Sequence, residues 1–358
     1  MKLVLTPEQR ELREAVRGFL SGASPLPAVR AAMDSETGYD PAVYRRLNGE
    51  LGLSGLIVPE EYGGAGAGFA ELAVALEETG AALLPGPFLA TTAAAIALTQ
   101  LQTPDKELLG GIAEGRVTAA FAPASGVTAG TADGDGRAAL SGTVPHLLNG
   151  LDADVLLVEA AAPDGPVLVA VEAGGAGVAR EALTTLDPTR RQARVTFDGS
   201  PGRILSGADE AGLARARDLL AVAVAAEQLG VLRASLDAIV AYSKIRVAFN
   251  RLIGSYQGVK HKLADMHCKL EQAESVVRYA AWTADEAPGE LPAAAALAQV
   301  YLGRACFEVA RDSLLLHGGI GFTWEHDAHL FYKRAKADEV LLGPPRAHRT
   351  RLADLLEL

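Results

Sequence analysis

Residues 316–339, LHGGIGFTWEHDAHLFYKRAKADE, decide the fold class, because a glycine-rich turn separates two patterns that are typical of helices. Three glycines in four positions follow His317. Glycine lets a backbone approach a ligand closely, yet a plain turn between helices needs only one such residue. A ligand-binding turn and a plain turn are therefore equally open on this segment alone, and both predict a C-terminal region of packed helices.

Four helical patterns in this region predict a four-helix bundle. The pattern over residues 213–246 is apolar nearly all round, which is typical of a buried helix. Residues 292–317 and 326–342 supply two more helices, and the last one stops at a glycine and two prolines. The remaining helix carries one apolar stripe at steps of three and four, formed by Val259, Leu263, Met266, Leu270, Ala273, Val277 and Ala280.

The middle of the chain has a different texture, with short β-rich runs between about Gly115 and Leu205. Turn clusters such as DGDG and PDG separate the runs, which predicts a small antiparallel barrel or sandwich. No helix-length pattern lies between the strands, so a doubly wound nucleotide-binding sheet is not expected.

The N-terminal region is again helical, and its first helix has a clear start signal. Thr6 is placed as the N-cap, Pro7 in the first turn, and Gln9 where its side chain can reach back to the cap. The predicted fold is therefore mainly α with a small central β domain. We expect an N-terminal helical domain over residues 1–112, a β domain over 113–206 and a four-helix bundle over 207–358.

Composition and charge argue against several function classes. The formal net charge of −11 disfavours general binding to nucleic acid or to an anionic membrane. His326 and His329 lack an obvious third metal ligand, so no metal is expected. Charged residues interrupt alanine-rich segments such as LLAVAVAAEQLG before about 18 residues, so no membrane span is expected.

Cysteine usage and the N-terminal sequence predict a cytoplasmic protein. Cys268 and Cys306 have neither metal-ligand nor disulfide spacing, and we expect both to be buried thiols in a reducing compartment. MKLVLTPEQRELREAV has no long apolar run of the kind that a secretory signal requires.

A second candidate ligand site is the turn RVAFNRLIG, residues 246–254, between two bundle helices. Arg246 and Arg251 could hold a pyrophosphate through bidentate contacts, with Gln257 one turn into the next helix. Taken alone, this segment is better explained as a solvated helix end.

Longer motifs give the chain a family resemblance. The order of the three regions resembles the acyl-CoA dehydrogenase family over essentially the whole chain. The motifs that carry the resemblance are PEEYGG (59–64), LDPTRR (186–191), SKIRVAFNRLIGSYQGVKHKLADM (243–266) and the opening stretch 316–339. The resemblance implies FAD lodged between the β domain and the helical bundles, with part of each flavin site supplied by a neighbouring subunit.

The resemblance also assigns residues to that flavin site. Arg246 and Phe249 match the family's R-x-x-F-G motif, whose arginine contacts the FAD pyrophosphate across a subunit interface. Gln257 matches the glutamine that follows the motif. Gly318 and Gly319 match the glycine turn that contacts the adenosine half of FAD. The resemblance therefore implies an oligomer.

The family reaction converts an acyl-CoA to an enoyl-CoA, and it requires a carboxylate base that removes the α proton. Alignment through residues 316–339 places Leu342 opposite the glutamate of the family's Y-E-G sequence. Val247 occupies the position of the glutamate that some members carry instead in the turn motif. Both positions are apolar here, and losing a general base commonly costs about 10²–10⁴ in rate.

Three further departures concern the flavin site of this chain. AFAPASGVTAGT, residues 120–131, replaces the family loop beside the isoalloxazine ring. Leu315 stands where glutamine is usual, and Asn250 stands where glycine is usual in the turn motif. The resemblance is thus closest to the shorter, base-lacking subunit of bacterial heterotetrameric dehydrogenases of the steroid side-chain type.

Three hypotheses follow from the resemblance. In the first, this chain supplies FAD contacts while a related subunit supplies the glutamate, with an electron-transfer flavoprotein or a similar acceptor taking the electrons. In the second, Glu339 is a relocated base, although an ion pair with Lys336 or Arg334 is the simpler interpretation. In the third, the chain is a scaffold that binds neither flavin nor CoA.

Overall fold

The computed structural model describes residues 3–358, and its first helix begins as the sequence predicts. The backbone N–H of Gln9 donates to the Thr6 hydroxyl at 3.2 Å, and the Gln9 amide oxygen accepts from the Thr6 N–H at 3.1 Å. This reciprocal capping satisfies two donors that a helix start otherwise leaves unpaired. The N-terminal helices are α1 Pro7–Ala23, α2 Leu26–Met33, α3 Pro41–Leu51, α4 Phe69–Ala81, α5 Phe88–Thr99 and α6 Lys106–Ala113.

The strands of the middle region close into a ring. They are β1 Ala119–Ala122, β2 Thr128–Ala129, β3 Arg137–Leu148, β4 Val155–Ala162, β5 Gly165–Glu172, β6 Val178–Ala182 and β7 Gln192–Ile204. Hydrogen bonding runs β4–β2–β3–β7–β5 and back to β4, with β1 on β4 and β6 on β7. Alternate residues of these strands fill the interior, among them Leu140, Val158, Val169, Val195 and Phe197. Of the two predicted forms, a barrel or a sandwich, the closed ring corresponds to the barrel.

The expectation of a wholly antiparallel sheet is wrong, because β1 and β2 both pair in parallel with β4. Ala119 lies opposite Val155 and Thr128 lies opposite Ala161, so β1 and β2 follow each other along the same neighbour. They act as one interrupted strand, and β2 also pairs antiparallel with β3. Strand order of this kind depends on distant pairings that a local β pattern does not contain.

The C-terminal region has the predicted long helices and one helix more. They are α7 Glu210–Ser243, α8 Gln257–Glu286, α9 Leu291–His317, α10 Ala328–Val340 and α11 Pro345–Leu355. Gly343, at φ +112°, follows the end of α10, and Pro345 starts α11. The proline pair therefore stops one helix as predicted and opens another, because proline suits the first turn of a helix. The mainly α fold with a central β region is confirmed.

The apolar stripe of α8 is buried over most of its length. Met266, Leu270 and Val277 are fully or nearly fully covered, whereas Val259 and Leu263 near the start of the helix are half-buried. The expectation for the cysteines is right for Cys306 and wrong for Cys268, which is exposed because it lies outside this stripe.

Helix α7 corrects the expectation that charged residues leave no segment apolar enough to span a membrane. Among the described residues it is the one helix whose length and composition would allow it to cross a membrane. Of its most apolar window, 89% is buried inside the protein, as in a core helix. Gly230 on this helix explains part of the tight packing, since a Cβ there would lie 1.8 Å from the carbonyl oxygen of Glu77 on α4.

A buried ion cluster joins α1, α4, α7 and α8. Glu77 is fully buried and pairs with Arg13 at 3.2 Å, with Arg278 at 2.6 Å and with Arg233. Burial would raise the pKa of the Glu77 carboxyl, but the three guanidinium groups lower it below its ordinary value. Removing one partner of such a cluster would leave an uncompensated buried charge.

The chain divides into two units, each built from separate stretches of sequence. One contains the residues up to Val29 together with Phe69–Leu84 and Ala221–Leu358. The other contains Arg30–Gly68 and Pro85–Leu220 and includes the β ring. The three-domain boundaries stay a prediction.

Candidate active site

The predicted turn after α7 is a two-strand hairpin. Strand β8, Val247–Ala248, pairs antiparallel with β9, Arg251–Leu252, and Phe249 and Asn250 connect them. Both connecting residues have positive φ, +50° and +61°. A type I′ turn requires this conformation at both positions, and asparagine tolerates it better than most residues. Asn250 can therefore adopt the backbone conformation of this turn at the position where the family has glycine.

Side chains inside the hairpin hold its shape. The Tyr256 hydroxyl donates to the carbonyl oxygen of Ala248 at 2.9 Å. The Arg251 guanidinium lies 4.3 Å from the centre of the Tyr256 ring and donates to the carbonyl oxygen of Ser255 at 2.8 Å. Arg251 is thus engaged within the hairpin, and the expectation of two arginines available for a ligand is wrong for this one.

Arg246 differs from Arg251 because its guanidinium is exposed and makes no hydrogen bond or ion pair with residues 3–358. Its backbone is fixed, since its N–H donates to Tyr242 at 2.9 Å and its carbonyl accepts from Ile253 at 2.9 Å. Phe249 at the tip is 95% exposed. Such an arrangement, a rigid backbone with free side chains, suits a contact with another molecule.

Gln257 is also exposed, and it is the first residue of α8 rather than one turn inside the helix. Its side-chain amide makes no hydrogen bond within the described part of the chain. Arg246, Phe249 and Gln257 thus all present free side chains in the hairpin segment.

The glycines of the turn after α9 differ in their surroundings. Gly321 packs tightly, because a Cβ there would lie 2.7 Å from the carbonyl oxygen of Leu314. A Cβ on Gly318 or Gly319 would meet nothing within 4 Å, and Gly318 has φ +70°. Gly321 therefore has a structural explanation, while the backbone of Gly318 and Gly319 faces open space and can be approached by a ligand.

Three rings join the base of the hairpin to the glycine turn. Tyr242 lies 4.6 Å from His317 and 6.2 Å from His326, and the two imidazoles are 4.4 Å apart, all between ring centres. The Nδ1 of His317 donates to the carbonyl oxygen of Ser313 at 2.7 Å. Burial lowers the pKa of the His317 imidazole, which favours its neutral form. Sequence spacing did not indicate this contact, because the residues come from different helices.

The two family positions for the base are apolar in different surroundings. Leu342 is half-buried in the turn between α10 and α11. Val247 lies on β8 and is 55% exposed. Neither side chain can accept a proton.

Glu339 is paired, as the simpler interpretation predicts. Its carboxylate accepts from the Lys336 ammonium group at 2.6 Å, and that ammonium also lies 4.9 Å from the centre of the Phe307 ring. Arg334, the other expected partner, is fully buried and pairs with Glu227 at 3.2 Å. The Glu339 carboxylate is thus engaged with Lys336 in the chain, which disfavours Glu339 as the relocated base.

The loop that replaces the family's flavin loop is folded onto its own β ring. Residues 123–127 connect β1 and β2, and the N–H of Ala124 donates to the Glu159 carboxylate at 3.0 Å. The Ser125 hydroxyl donates to the Glu159 carbonyl oxygen at 2.8 Å. Glu159 is buried and also pairs with Arg217. The Ala124 N–H and the Ser125 hydroxyl are therefore bonded within the chain.

Comparison with known proteins decides the family. The sequence matches the acyl-CoA dehydrogenase N-terminal domain over residues 6–114 and the acyl-CoA dehydrogenase C-terminal domain over residues 210–356. The chain belongs to the acyl-CoA dehydrogenase family. Acyl-CoA dehydrogenase IpdE2 of Mycolicibacterium smegmatis is 39% identical over 348 residues, which cover 96% of this chain and 98% of that protein.

Two similar solved structures each have a name that joins two protein names. The structure named Tcur3481-Tcur3483 steroid ACAD G363A variant contains a chain with 32% identity and a TM-score of 0.89, with 98% of each chain covered. The ChsE4-ChsE5 complex from Mycobacterium tuberculosis contains a chain with 26% identity and a TM-score of 0.91, covering 100% of this chain and 99% of that one.

The acyl-CoA dehydrogenase family is FAD-dependent and catalyses oxidoreduction. The hairpin and the glycine turn of this dehydrogenase fit part of such a cofactor. The free guanidinium of Arg246 matches the bidentate geometry of a phosphate, and the open backbone of Gly318 and Gly319 allows close approach. In the loop at residues 123–127, the Ala124 N–H and the Ser125 hydroxyl are both bonded to Glu159. The individual roles of these residues stay predictions.

Proposed function

We propose that this acyl-CoA dehydrogenase chain is the base-lacking subunit of a heteromeric enzyme that oxidises an acyl-CoA thioester. The observation that carries the proposal is a contrast within one chain. Leu342 and Val247 occupy the two base positions, whereas Arg246 remains free on a rigid, exposed hairpin.

In the proposed complex, the related subunit supplies the carboxylate that removes the α proton. FAD, when bound, accepts the hydride from the β carbon. Arg246 would hold a phosphate of the cofactor through charge-assisted hydrogen bonds, and Gly318 and Gly319 would let the backbone approach its adenosine half. Gln257 would add a polar contact, and Phe249 would cover apolar surface on the neighbouring subunit. An electron-transfer flavoprotein or a similar acceptor would reoxidise the cofactor.

Two comparisons support a paired assembly. The names of the two similar structures each join two protein names, and one of them is called a steroid ACAD. Acyl-CoA dehydrogenase FadE34 of Mycobacterium tuberculosis is 38% identical over 352 residues, but this chain spans only 47% of its length. The remainder of FadE34 is long enough for a second unit of similar size. We extend this to a cytoplasmic enzyme acting on a fatty or steroid acyl-CoA.

The satisfied loop at residues 123–127 favours a second candidate, a scaffold that stabilises a dehydrogenase without contacting its flavin. The Ala124 N–H and the Ser125 hydroxyl of this loop both donate to Glu159 within the chain. Under this candidate the free state of Arg246 would have no role, which is why we place it second.

Acyl-CoA oxidation by the purified chain, with an artificial electron acceptor, tests the proposal. We expect turnover only when the related subunit is present. Turnover by the chain alone at ordinary enzyme rates would contradict the proposal.

If the chain alone is active, Glu339→Gln tests whether Glu339 is the base responsible for that activity. A relocated base predicts a loss of about 10²–10⁴ in that activity. Our account predicts that the same substitution changes the activity of the complex by less than about 2-fold. Glu308→Gln is a matched control, because Glu308 is also a surface carboxylate paired with a lysine, Lys269.

A further inference from the structure

The two imidazoles beside the glycine turn carry their protons on different nitrogens. The Nδ1 of His317 lies 2.7 Å from the carbonyl oxygen of Ser313, which can only accept, so this nitrogen carries a proton. The Nδ1 of His326 accepts from the backbone N–H of Ala328 at 3.1 Å, so this nitrogen carries none. A doubly protonated ring has no acceptor, and His326 is therefore neutral with its proton on Nε2.

These two hydrogen bonds hold each ring against its own helix. Ser313 lies one turn before His317, so the His317 ring is fixed at the C-terminal end of α9. Ala328 is the first residue of α10, so the His326 ring is fixed at the start of that helix. The centres of the two rings are 4.4 Å apart. The pair thus joins the two helix ends on either side of the glycine turn.

His317 also contacts the glycine turn and the base of the hairpin. A Cβ on Gly321 would lie 3.0 Å from the Cβ of His317, so the turn folds back against this residue. The ring of Tyr242, near the C-terminal end of α7, has its centre 4.6 Å from that of His317. The carbonyl oxygen of Tyr242 accepts from the N–H of Arg246 at 2.9 Å. The residue that packs against His317 therefore also anchors the backbone of Arg246.

We propose that His317 is a positioning residue that sets the hairpin carrying Arg246 relative to the turn carrying Gly318 and Gly319. Its ring is fixed to α9 by Ser313 and packs against Tyr242, whose backbone holds Arg246. The proposal rests on the proposed function for the identity of the ligand, since that function assigns Arg246 and the two glycines to different parts of one cofactor. The link between the two segments does not depend on it.

The first test is a nitrogen spectrum of the full chain labelled with ¹⁵N-histidine, with signals assigned through His317→Asn and His326→Asn. At pH 7.5 we expect two neutral rings, His317 protonated at Nδ1 and His326 at Nε2. Free histidine in water prefers the Nε2–H form, so the signature of His317 is distinctive. The same form in both rings, or a doubly protonated ring at either position, would overturn the proposal.

The second test asks whether a change at the hairpin reaches the glycine turn. Tyr242→Leu removes the ring that packs on His317 and keeps the backbone carbonyl that holds Arg246. We expect about 3- to 10-fold faster hydrogen exchange of the amides in residues 318–323. Unchanged exchange there would overturn the proposal.

Tyr279→Leu is the matched control for this substitution. Tyr279 on α8 is half-buried, as Tyr242 is, and its ring stacks with that of Trp282 at 6.3 Å between centres. This variant should leave exchange at residues 318–323 within about 2-fold of the native rate. An equal increase in both variants would mean that the turn responds to a general loss of stability, which would also overturn the proposal.

A double-mutant cycle separates a shared contact from two independent ones. His317→Leu removes the ring and its hydrogen bond, and we expect at least about 3-fold faster exchange in residues 246–253 and in residues 318–323. Adding Tyr242→Leu should then have little further effect, because the contact is already lost. Fully additive effects would contradict the positioning role. His317→Phe, which keeps a ring without the Nδ1–H, replaces His317→Leu if circular dichroism shows that the latter does not fold.

None of these measurements needs flavin, substrate or a second subunit, so the two proposals can fail separately. Turnover by the chain alone would remove the proposed function and leave the link between hairpin and glycine turn standing. Unchanged exchange at the turn in Tyr242→Leu would remove the positioning role and leave the heteromeric assignment untouched.

Discussion

The hairpin at residues 247–252 and the turn at residues 341–344 use their polar groups in opposite ways. At the hairpin, the backbone is held from within by Tyr256 and Arg251, and Arg246 is left free. At the turn, the half-buried side chain of Leu342 at the base position is apolar and offers no polar group. The difference agrees with the proposed function, in which the hairpin contacts a related subunit and that subunit supplies the base.

The largest effect that would break this comparison concerns Arg246. In the complex with a related subunit, Arg246→Gln should raise the dissociation constant for FAD by about 10- to 100-fold, because charged hydrogen bonds contribute about 1.5–3 kcal/mol. Flavin fluorescence after dilution of the complex measures this. Arg304→Gln removes another exposed arginine, one that pairs with Glu308 on α9, and serves as the control. Equal flavin retention in both variants would show that Arg246 does not contact the cofactor.

A smaller effect is expected from the hairpin turn itself. Asn250→Val places a β-branched residue at φ +61° and should weaken the hairpin by about 1–2 kcal/mol. Asn250→Gly should be neutral or slightly stabilising, because glycine adopts this conformation without a steric cost. Hydrogen exchange at residues 246–256 measures both. Faster exchange in the glycine variant than in the valine variant would contradict the type I′ geometry.

The smallest expected effect is a pH dependence of the free energy of unfolding, which involves one histidine near each of the two regions. Burial lowers the pKa of His317 near the hairpin and of His348 at the turn. As the pH falls below about 6.5, the unfolded chain takes up protons that these folded imidazoles do not, so the free energy of unfolding decreases. Each unit of pKa difference between folded and unfolded states is worth about 1.4 kcal/mol.

Thermal unfolding between pH 7.5 and pH 5.5 measures this dependence. His348→Gln should flatten the profile, while His146→Gln, at an exposed position on β3, controls for the substitution itself. Protonation of Glu77 also lowers the free energy of unfolding as the pH falls, because the pKa of that carboxyl is lowered in the folded chain. That effect occurs below about pH 4.5, outside the range measured here. A profile that is flat between pH 7.5 and pH 5.5 in the native chain would contradict the neutral, buried imidazoles.

Features that depend on nearby residues could be predicted from the sequence. The capping of α1 by Thr6 and Gln9 involves residues three apart, and the stop of α10 follows directly from Gly343. The turn between α9 and α10 was predicted for the same reason. Each of these elements is specified by backbone chemistry within one helical turn.

Features that depend on distant pairings could not be predicted in this way. The parallel pairing of β1 with β4 joins strands more than 30 residues apart, as the register of Ala119 with Val155 shows. The contact of Tyr242 with His317 joins two helices. The hairpin had a local signal, Asn250 at a turn flanked by β-branched and apolar residues, but the expectation of a helix end took precedence over it. The resemblance to a family named the candidate site residues, whereas their surroundings required the structure.

The central claim is that this chain completes a flavin site only with a related subunit. Its most direct test is the visible absorption spectrum of the chain purified alone and after co-expression with a related dehydrogenase chain, before and after addition of acyl-CoA. We predict flavin bands, and their bleaching by substrate, only in the co-expressed sample. A chain that is yellow and bleaches when purified alone would contradict the account.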